Sequence, residues 1–366
     1  QDAHNSTGPL IGRRTQRTDE DRLAQALALV QEAELSHASG SLESLDLAPG
    51  NETTLNELTN PLLRPPAPSE PIPDEALNFV PTELLELDKH TFADVLRTSR
   101  KGLSASLSGG RYEYWKLCLE EEGSFNALHS VAQRLCRAQV PAPILTAIRT
   151  SALTALLKPN RRIRGIASAD SFRRLVTKAV AKQKQAKLRE AVFPFNFGLS
   201  DRSGTDAAVH YMQYLTDRYP DRVVLSIDGI GAFDHVCRAR IFEQLLARPD
   251  LHDLLPFVRM WYAQQSQFVW NDDAGVTHRI LQGDGGEQGD ALMPALFSIA
   301  LHPALLRMQA LMPDNVALLA YLDDIYIVCL PEDAAHCLQT ARDALREICH
   351  IDINAGKLAA WSKTVA

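Results

Sequence analysis

No C-x-x-C pair and no finger-like Cys/His spacing occurs among the six cysteines, Cys118, Cys136, Cys237, Cys329, Cys337 and Cys349. That pattern predicts reduced core thiols in an intracellular compartment and argues against a structural zinc site. No apolar run is long enough to span a bilayer and no signal peptide is recognisable, so no membrane is expected as a partner. Internal repeats are absent as well. An initiating Met is missing, since the chain opens at Gln1, as expected of a piece of a larger polypeptide. Nor is there an excess of positive charge: the net charge is −7, which argues against a nucleic acid held by overall charge.

What is present is uneven. Between Lys158 and Arg189 eleven Lys and Arg residues face one acid, Asp170, giving that stretch a local charge of +10. Such an island fits either a polyphosphate or a solvated helix face. A chain of 366 residues can hold two or three subdomains. Residues 1–20 read as disordered, Asp21 to His37 as a helix closed by Ala38-Ser39-Gly40-Ser41, and 41–80 as a Pro-rich, semi-extended linker. We expect a largely disordered extension over 1–80 with one helix, then ordered subdomains at 81–200 and 201–366.

Within the ordered part, spacing predicts helices at Asp88–Arg97, Tyr112–Glu121, Ser124–Gln139, Phe172–Val192, Gly204–Thr216 with Thr205 as N-cap, Arg238–Arg248, Leu254–Tyr262, Leu292–Met308 and Ala334–Ile348. Strands are expected at Ile163–Ser168 and Val223–Ile227, and a closing strand at Ile351–Asn354. Ile144–Leu157 reads as helix running into strand, and Gln267–Trp270 with Val276–Leu281 as a hairpin.

A second hairpin carries the chemistry. In Ala320-Tyr321-Leu322-Asp323-Asp324-Ile325-Tyr326-Ile327-Val328 two acids interrupt a β-prone run. An unpaired charge is costly in a dry core, so the tip is either a solvated turn or the ligand set of a divalent cation. The strand Val223–Ile227 delivers another carboxylate, Asp228, at its end, and Gly231-Ala232-Phe233-Asp234 follows. Between the two lies the Gly-rich loop Gly285-Gly286-Glu287-Gln288-Gly289-Asp290, expected to be mobile with Glu287 exposed. Nucleotidyl transfer is the chemistry that needs such a set. Two metal ions about 3.5–4 Å apart hold the attacking and leaving oxygens, and carboxylates from separate strands hold the metals.

The order Ser226-Ile227-Asp228-Gly229-Ile230-Gly231-Ala232-Phe233-Asp234, then Gly285 to Pro294, then Tyr321-Leu322-Asp323-Asp324 resembles motifs A, B and C of reverse transcriptases, most closely those of non-LTR (LINE-like) retrotransposons. Leu157-Lys158-Pro159-Asn160 with Arg164-Gly165-Ile166 looks like the fingers element, Phe197-Gly198 through Asp206 like the segment before motif A, and Asn354-Ala355-Gly356-Lys357 with Trp361 like motif D. The resemblance covers roughly residues 90–366. It implies an α/β (α+β) right-hand polymerase: fingers and a palm whose antiparallel sheet is backed by helices, with no thumb visible after motif D.

The resemblance also implies roles. Asp228, Asp323 and Asp324 are the expected catalytic and metal-binding acids, with Asp324 the lesser, and Mg2+ the expected cofactor (Mn2+ the alternative). Lys158 and Arg164 are expected on the triphosphate, Phe233 as the steric gate against a 2′-OH, Gln288 and Gly289 in the nucleotide pocket, and Lys357 as the proton donor to pyrophosphate. Asp234 is expected to be structural, and Arg173, Arg174 and Lys178 to Lys187 to contact phosphates of the template–primer. The implied partners are an RNA template, a DNA or RNA primer and dNTPs, and the element class implies work in the nucleus. Ala291 and Gly165 stand where the family usually has proline, and Gly165 is expected to loosen its strand. The rival from another class is a non-catalytic scaffold descended from a decayed element. Such a scaffold is expected to have lost an acid, and here all three stand.

Overall fold

A computed structural model describes residues 18–31, 35–43, 45–100, 102–103, 107–199 and 203–364. The disorder expected over residues 1–17 lies outside the described residues.

The motif-bearing part is a four-stranded antiparallel sheet in the order β7-β8-β4-β9, with β4 at Val223–Ile227, β7 at Ala317–Tyr321, β8 at Asp324–Cys329 and β9 at Ala359–Ser362. Its residues alternate as a strand's period of two requires. Val223, Leu225, Ile227, Ile325, Ile327 and Cys329 enter the main core, whereas Val224, Leu319 and Val328 join Leu215 of the Gly204–Arg218 helix on the other face. Sharing the core of the first face is Met293–Leu311, apolar on nearly every side and accordingly buried. Pro294 sits in its first turn, where its missing N–H is not needed, and Pro303 lies inside it without ending it. Among the described residues no helix is long and apolar enough to cross a membrane.

A second sheet holds β1 (Asp46–Leu47), β2 (Ser151–Leu157), β3 (Ile163–Ser168), β5 (Ser266–Asn271) and β6 (Thr277–Gln282). β2 and β3 form a hairpin over the basic Lys158–Arg162 turn, closed by Lys158 N–H donating to Arg162 O at 2.8 Å. The β5–β6 hairpin falls within the second expected subdomain, 201–366, yet it pairs in parallel with β2 of the first, Ser151 opposite Phe268. One hydrophobic core runs from Ala76 to Ile351, so residues 81–200 and 201–366 are not separately cored.

Several expectations need correction. Residues 45–80 are built into the fold rather than forming a disordered linker. Asn51 caps the helix Glu52–Leu58, its side chain accepting from Thr54 N–H. The prolines that suggested a linker leave a run of carbonyls with few N–H groups, and the palm supplies the donors. Gly283 N–H donates to Pro65 O at 2.7 Å, Gln265 Nε2 to Pro66 O at 2.7 Å, and Arg259 Nη1 to Leu77 O at 2.6 Å. The Ala38–Ser41 stretch does not end a helix but lies inside one, Leu35–Leu42, where Ala38 is buried. Thr205 is not the N-cap: Ser203 holds that position, and the Thr205 hydroxyl donates to Tyr321 OH. Ile351–Asn354 is not a sheet strand. Its backbone pairs with the turn after β4, Ile230 N–H to Asp352 O and Asn354 N–H to Asp228 O at 2.8 Å each, leaving the sheet edge to β9.

Candidate active site

Register places the acids. Ile227 pairs with Ile325 across β4 and β8, so the residue just after β4, Asp228, comes level with Asp324. Tyr321 pairs with Asp324 and leaves Leu322-Asp323 as a two-residue turn, with Leu322 at φ 55°. A branched residue at positive φ is held by its surroundings. Leu322 packs against Gly198, and its N–H reaches the buried Asn196 Oδ1 at 3.4 Å. Asn196 also accepts from Gly198 N–H and donates to Ser298 Oγ at 3.0 Å, bracing the turn against the core.

Asp228, Asp323, Phe233, Gln288, Lys158, Arg164 and Lys357 line one cleft of about 370 Å3 between the two sheets, together with Arg64, Asp234 and Asn354. The palm side presents carboxylates and the β2–β3 hairpin presents cations. Asp228 is held by Lys357 Nζ at 3.1 Å and by Asn354 Nδ2 at 3.3 Å. Burial lowers the pKa of Lys158, and the nearby charges of Arg164 and Lys357 lower it further, against a smaller opposing pull from Asp228.

The donor set fits a hard divalent cation, since it offers oxygens only. Burial raises the pKa of Asp323 and of Asp324, and the neighbouring carboxylate of Asp228 adds to both. A bound cation relieves that repulsion. Among the described residues the ligand atoms of Glu70, Cys237 and His350 alone converge within 4.8 Å, so the three aspartates stand wider than that, with Lys357 on Asp228. Glu70 is satisfied otherwise: its hydrogen bond with His350, then that with Arg240, holds its carboxyl below the usual range.

Two expected site residues lie outside the cleft lining. Asp324 is exposed beside the turn. Gly289 packs on β3, where a Cβ would come within 2.6 Å of Ala167 O. Its lack of a side chain therefore serves close backbone approach.

The Gly-rich loop is neither mobile by construction nor exposed at Glu287. Gly286 N–H donates to Phe233 O and Gly285 N–H to Val236 O. Glu287 and Asp290 are buried against Arg173, at 2.9 and 3.5 Å, with Tyr262 OH donating to Asp290 at 2.6 Å. Arg173, 2% exposed and stacked on the Trp261 ring, is thus no phosphate contact. Lys184 and Lys182 are paired with Asp253 and Asp94, and Lys187 donates to Asp250 O. Of the expected phosphate track, Arg173 and Lys184 are thus taken up inside the fold, whereas Lys178, Lys182 and Lys187 are exposed.

Phe233 lies on the short helix Ala232–His235 and stacks on Phe297, ring centres 4.6 Å apart. Asp234 is tied to other side chains of the chain, in line with a structural role. It faces Arg64 at 3.7 Å and accepts from Gln288 Nε2 at 3.3 Å. Arg64 and Asn196 were missed in the sequence: one is a lone Arg among prolines, the other lies in the short stretch after the Phe172–Val192 helix.

Acids at a strand end and a hairpin tip, across a cleft from basic side chains, define the palm and fingers of a nucleic acid polymerase. Residues 156–366 match the family described as reverse transcriptase (RNA-dependent DNA polymerase), and the chain belongs to that family. It is 23% identical over 220 residues to the retrotransposable element SLACS 132 kDa protein of Trypanosoma brucei gambiense, a match covering 60% of this chain and 18% of that protein. This relative fits the expected class of element; the matched part is under a fifth of its length. Among solved structures, telomerase from Candida albicans in complex with a TWJ fragment of telomeric RNA aligns at 12% identity and a TM-score of 0.45, over 62% of this chain and 45% of that one.

Proposed function

We propose that this chain is an RNA-directed DNA polymerase of a retrotransposon, adding dNTPs to a primer 3′-OH on an RNA template. The observation that carries the reading is the meeting of Asp228 and Asp323 in one cleft with Lys158, Arg164, Phe233 and Gln288. Asp228 and Asp323 would hold the divalent metals, Mg2+ or Mn2+, with Asp324 assisting from the turn. The chemistry supplied there would be charge neutralisation of the triphosphate and of the attacking and leaving oxygens. The chain's own groups do the rest. Lys158 and Arg164 bind and orient the triphosphate from the β2–β3 hairpin, as two cations on one wall of the cleft are suited to do. Phe233, fixed by its stack on Phe297, excludes a 2′-OH. Lys357 stands next to Asp228, placed to give a proton to departing pyrophosphate.

The test is primer extension on an RNA template with Mg2+, beside Asp323→Ala, with dNTPs and NTPs compared. The expected result is dNTP-dependent extension that Asp323→Ala removes. Equal signal from both proteins rules out this site, and preferred NTP use sinks the reverse transcriptase reading. RNA binding without extension from either favours a non-catalytic scaffold.

A further inference from the structure

Arg64 belongs to the Pro-rich stretch ahead of the fingers, yet its side chain lines the cleft and is 6% exposed. Its Nε donates to Gln282 Oε1 at 3.0 Å, its Nη1 to Leu58 O at 3.2 Å, and its guanidinium lies over the Phe268 ring. Nη2 faces Asp234 Oδ1 at 3.7 Å. Room for it exists because residue 165 has no side chain: a Cβ on Gly165 would come within 2.9 Å of Arg64 Nη2. The glycine expected to loosen β3 instead makes space for an arginine from another segment.

From Asp234 the contacts continue. Its Oδ2 accepts from Gln288 Nε2 at 3.3 Å, and Gln288 Oε1 accepts from Arg164 Nε at 3.2 Å. An ionised carboxylate only accepts, so it fixes which way the Gln288 amide points. With its NH2 toward Asp234, its oxygen is left to hold Arg164.

We infer that Arg64 is a positioning residue for the incoming nucleotide, acting through Asp234 and Gln288 to hold Arg164 in place. This rests on the polymerase reading of the cleft. Burial raises the pKa of Asp234, and the charges opposing that rise are Arg64 first, then His235 and, more weakly, Arg164. Remove Arg64, and Asp234 more readily takes a proton. The neutral carboxyl can donate as well as accept, the Gln288 amide loses its fixed sense, and Arg164 loses its acceptor.

The test uses the full chain with Arg64→Met, Arg64→Lys and Asp234→Asn, and the Met–Asn double variant. Binding of dTTP with Mg2+ is titrated by thermal shift, and KM and kcat are measured in primer extension. Arg64→Met and Asp234→Asn are each expected to weaken dTTP binding and raise KM about tenfold, with kcat within about twofold. The double variant is expected to be no worse than the worse single one, since one chain of bonds is broken only once. Arg64→Lys, which keeps the charge, is expected to fall between and carries the comparison if Arg64→Met does not fold. Unchanged affinity in folded variants, additive losses, or a wild-type chain that binds no dTTP overturns the inference. Binding without RNA-templated extension refutes the polymerase reading alone, and the binding comparison still decides the role of Arg64.

Discussion

Lys357 Nζ lies 3.1 Å from Asp228 Oδ2, so the acid at the end of β4 is already paired with a cation of this chain. A divalent ion must compete with that ammonium for the same oxygens, and the freed lysine then stands beside the phosphates. Lys357→Ala is expected to lower the Mg2+ concentration at half-maximal rate while reducing kcat by about 10²-fold, the lower end of general acid catalysis. A Mg2+ titration of the extension rate separates the two. A lysine that serves only to anchor the loop would leave kcat unchanged once Mg2+ saturates.

The turn gives the two neighbouring acids different stations. Asp323 lines the cleft, and Asp324 is exposed beside it. Asp228→Ala and Asp323→Ala are expected to lower extension by about 10³-fold or more, the scale on which preorganised charge contributes. Asp324→Ala is expected to cost about tenfold to a hundredfold less than either. Single-turnover extension of all three variants at saturating dNTP checks the ranking.

Phe233 is held by its stack on Phe297 and by Gly286 N–H on its carbonyl, so its ring cannot simply swing aside. Phe233→Val is expected to reduce the preference for dNTP over NTP by about tenfold to a hundredfold, mainly through the NTP KM. The same change removes part of a half-buried ring and is expected to cost about 2 kcal/mol of stability. Competing dTTP and UTP incorporation reads the first effect and urea denaturation the second.

The buried cluster under the motif B loop makes a different prediction. Arg173 is the cation facing both Glu287 and Asp290, and all three are buried. Arg173→Met leaves two carboxylates without it in low dielectric, which is expected to cost about 3–5 kcal/mol. Asp253→Ala unpairs one buried cation, Lys184, from a carboxylate that is itself partly exposed, and is expected to cost less. Chemical denaturation with the midpoint compared between variants tests this ordering.

How far the sequence could be read follows from the range of the forces involved. The acids at Asp228 and Asp323 were legible because strand alternation and a polar tip are local signals, and the structure brings both to one cleft. The helix at Ser171–Ala191 was legible by its spacing, with Asp170 as its cap. Its charges misled, because a sequence does not show that Arg173 meets Glu287 114 residues away. The same limit hid the contacts of Arg64 and made the glycines of the loop read as freedom. Gly289 in fact marks close contact with β3.

The largest departure, the order of residues 45–80, gives the last prediction. A chain beginning at Pro81, where sequence alone places the domain start, loses Arg64, the Ser69 N–H that donates to the buried Asp284, and Glu70, which pairs with Arg240 and His350. It also strips Leu58 from the small core formed with Leu153, Phe268, Trp270 and Ile280, and uncovers that sheet. Burying a leucine is worth about 1.5–3 kcal/mol, and each lost buried hydrogen-bond partner about 1–3 kcal/mol. The truncated chain is therefore expected to unfold at clearly lower temperature and to expose apolar surface, whereas a chain beginning at Asp46 is expected to keep the stability of the full one apart from the contacts of its first helices. Thermal denaturation with a hydrophobic dye compares the three. Equal melting of the Pro81 chain and the full chain would show that the segment is a linker after all.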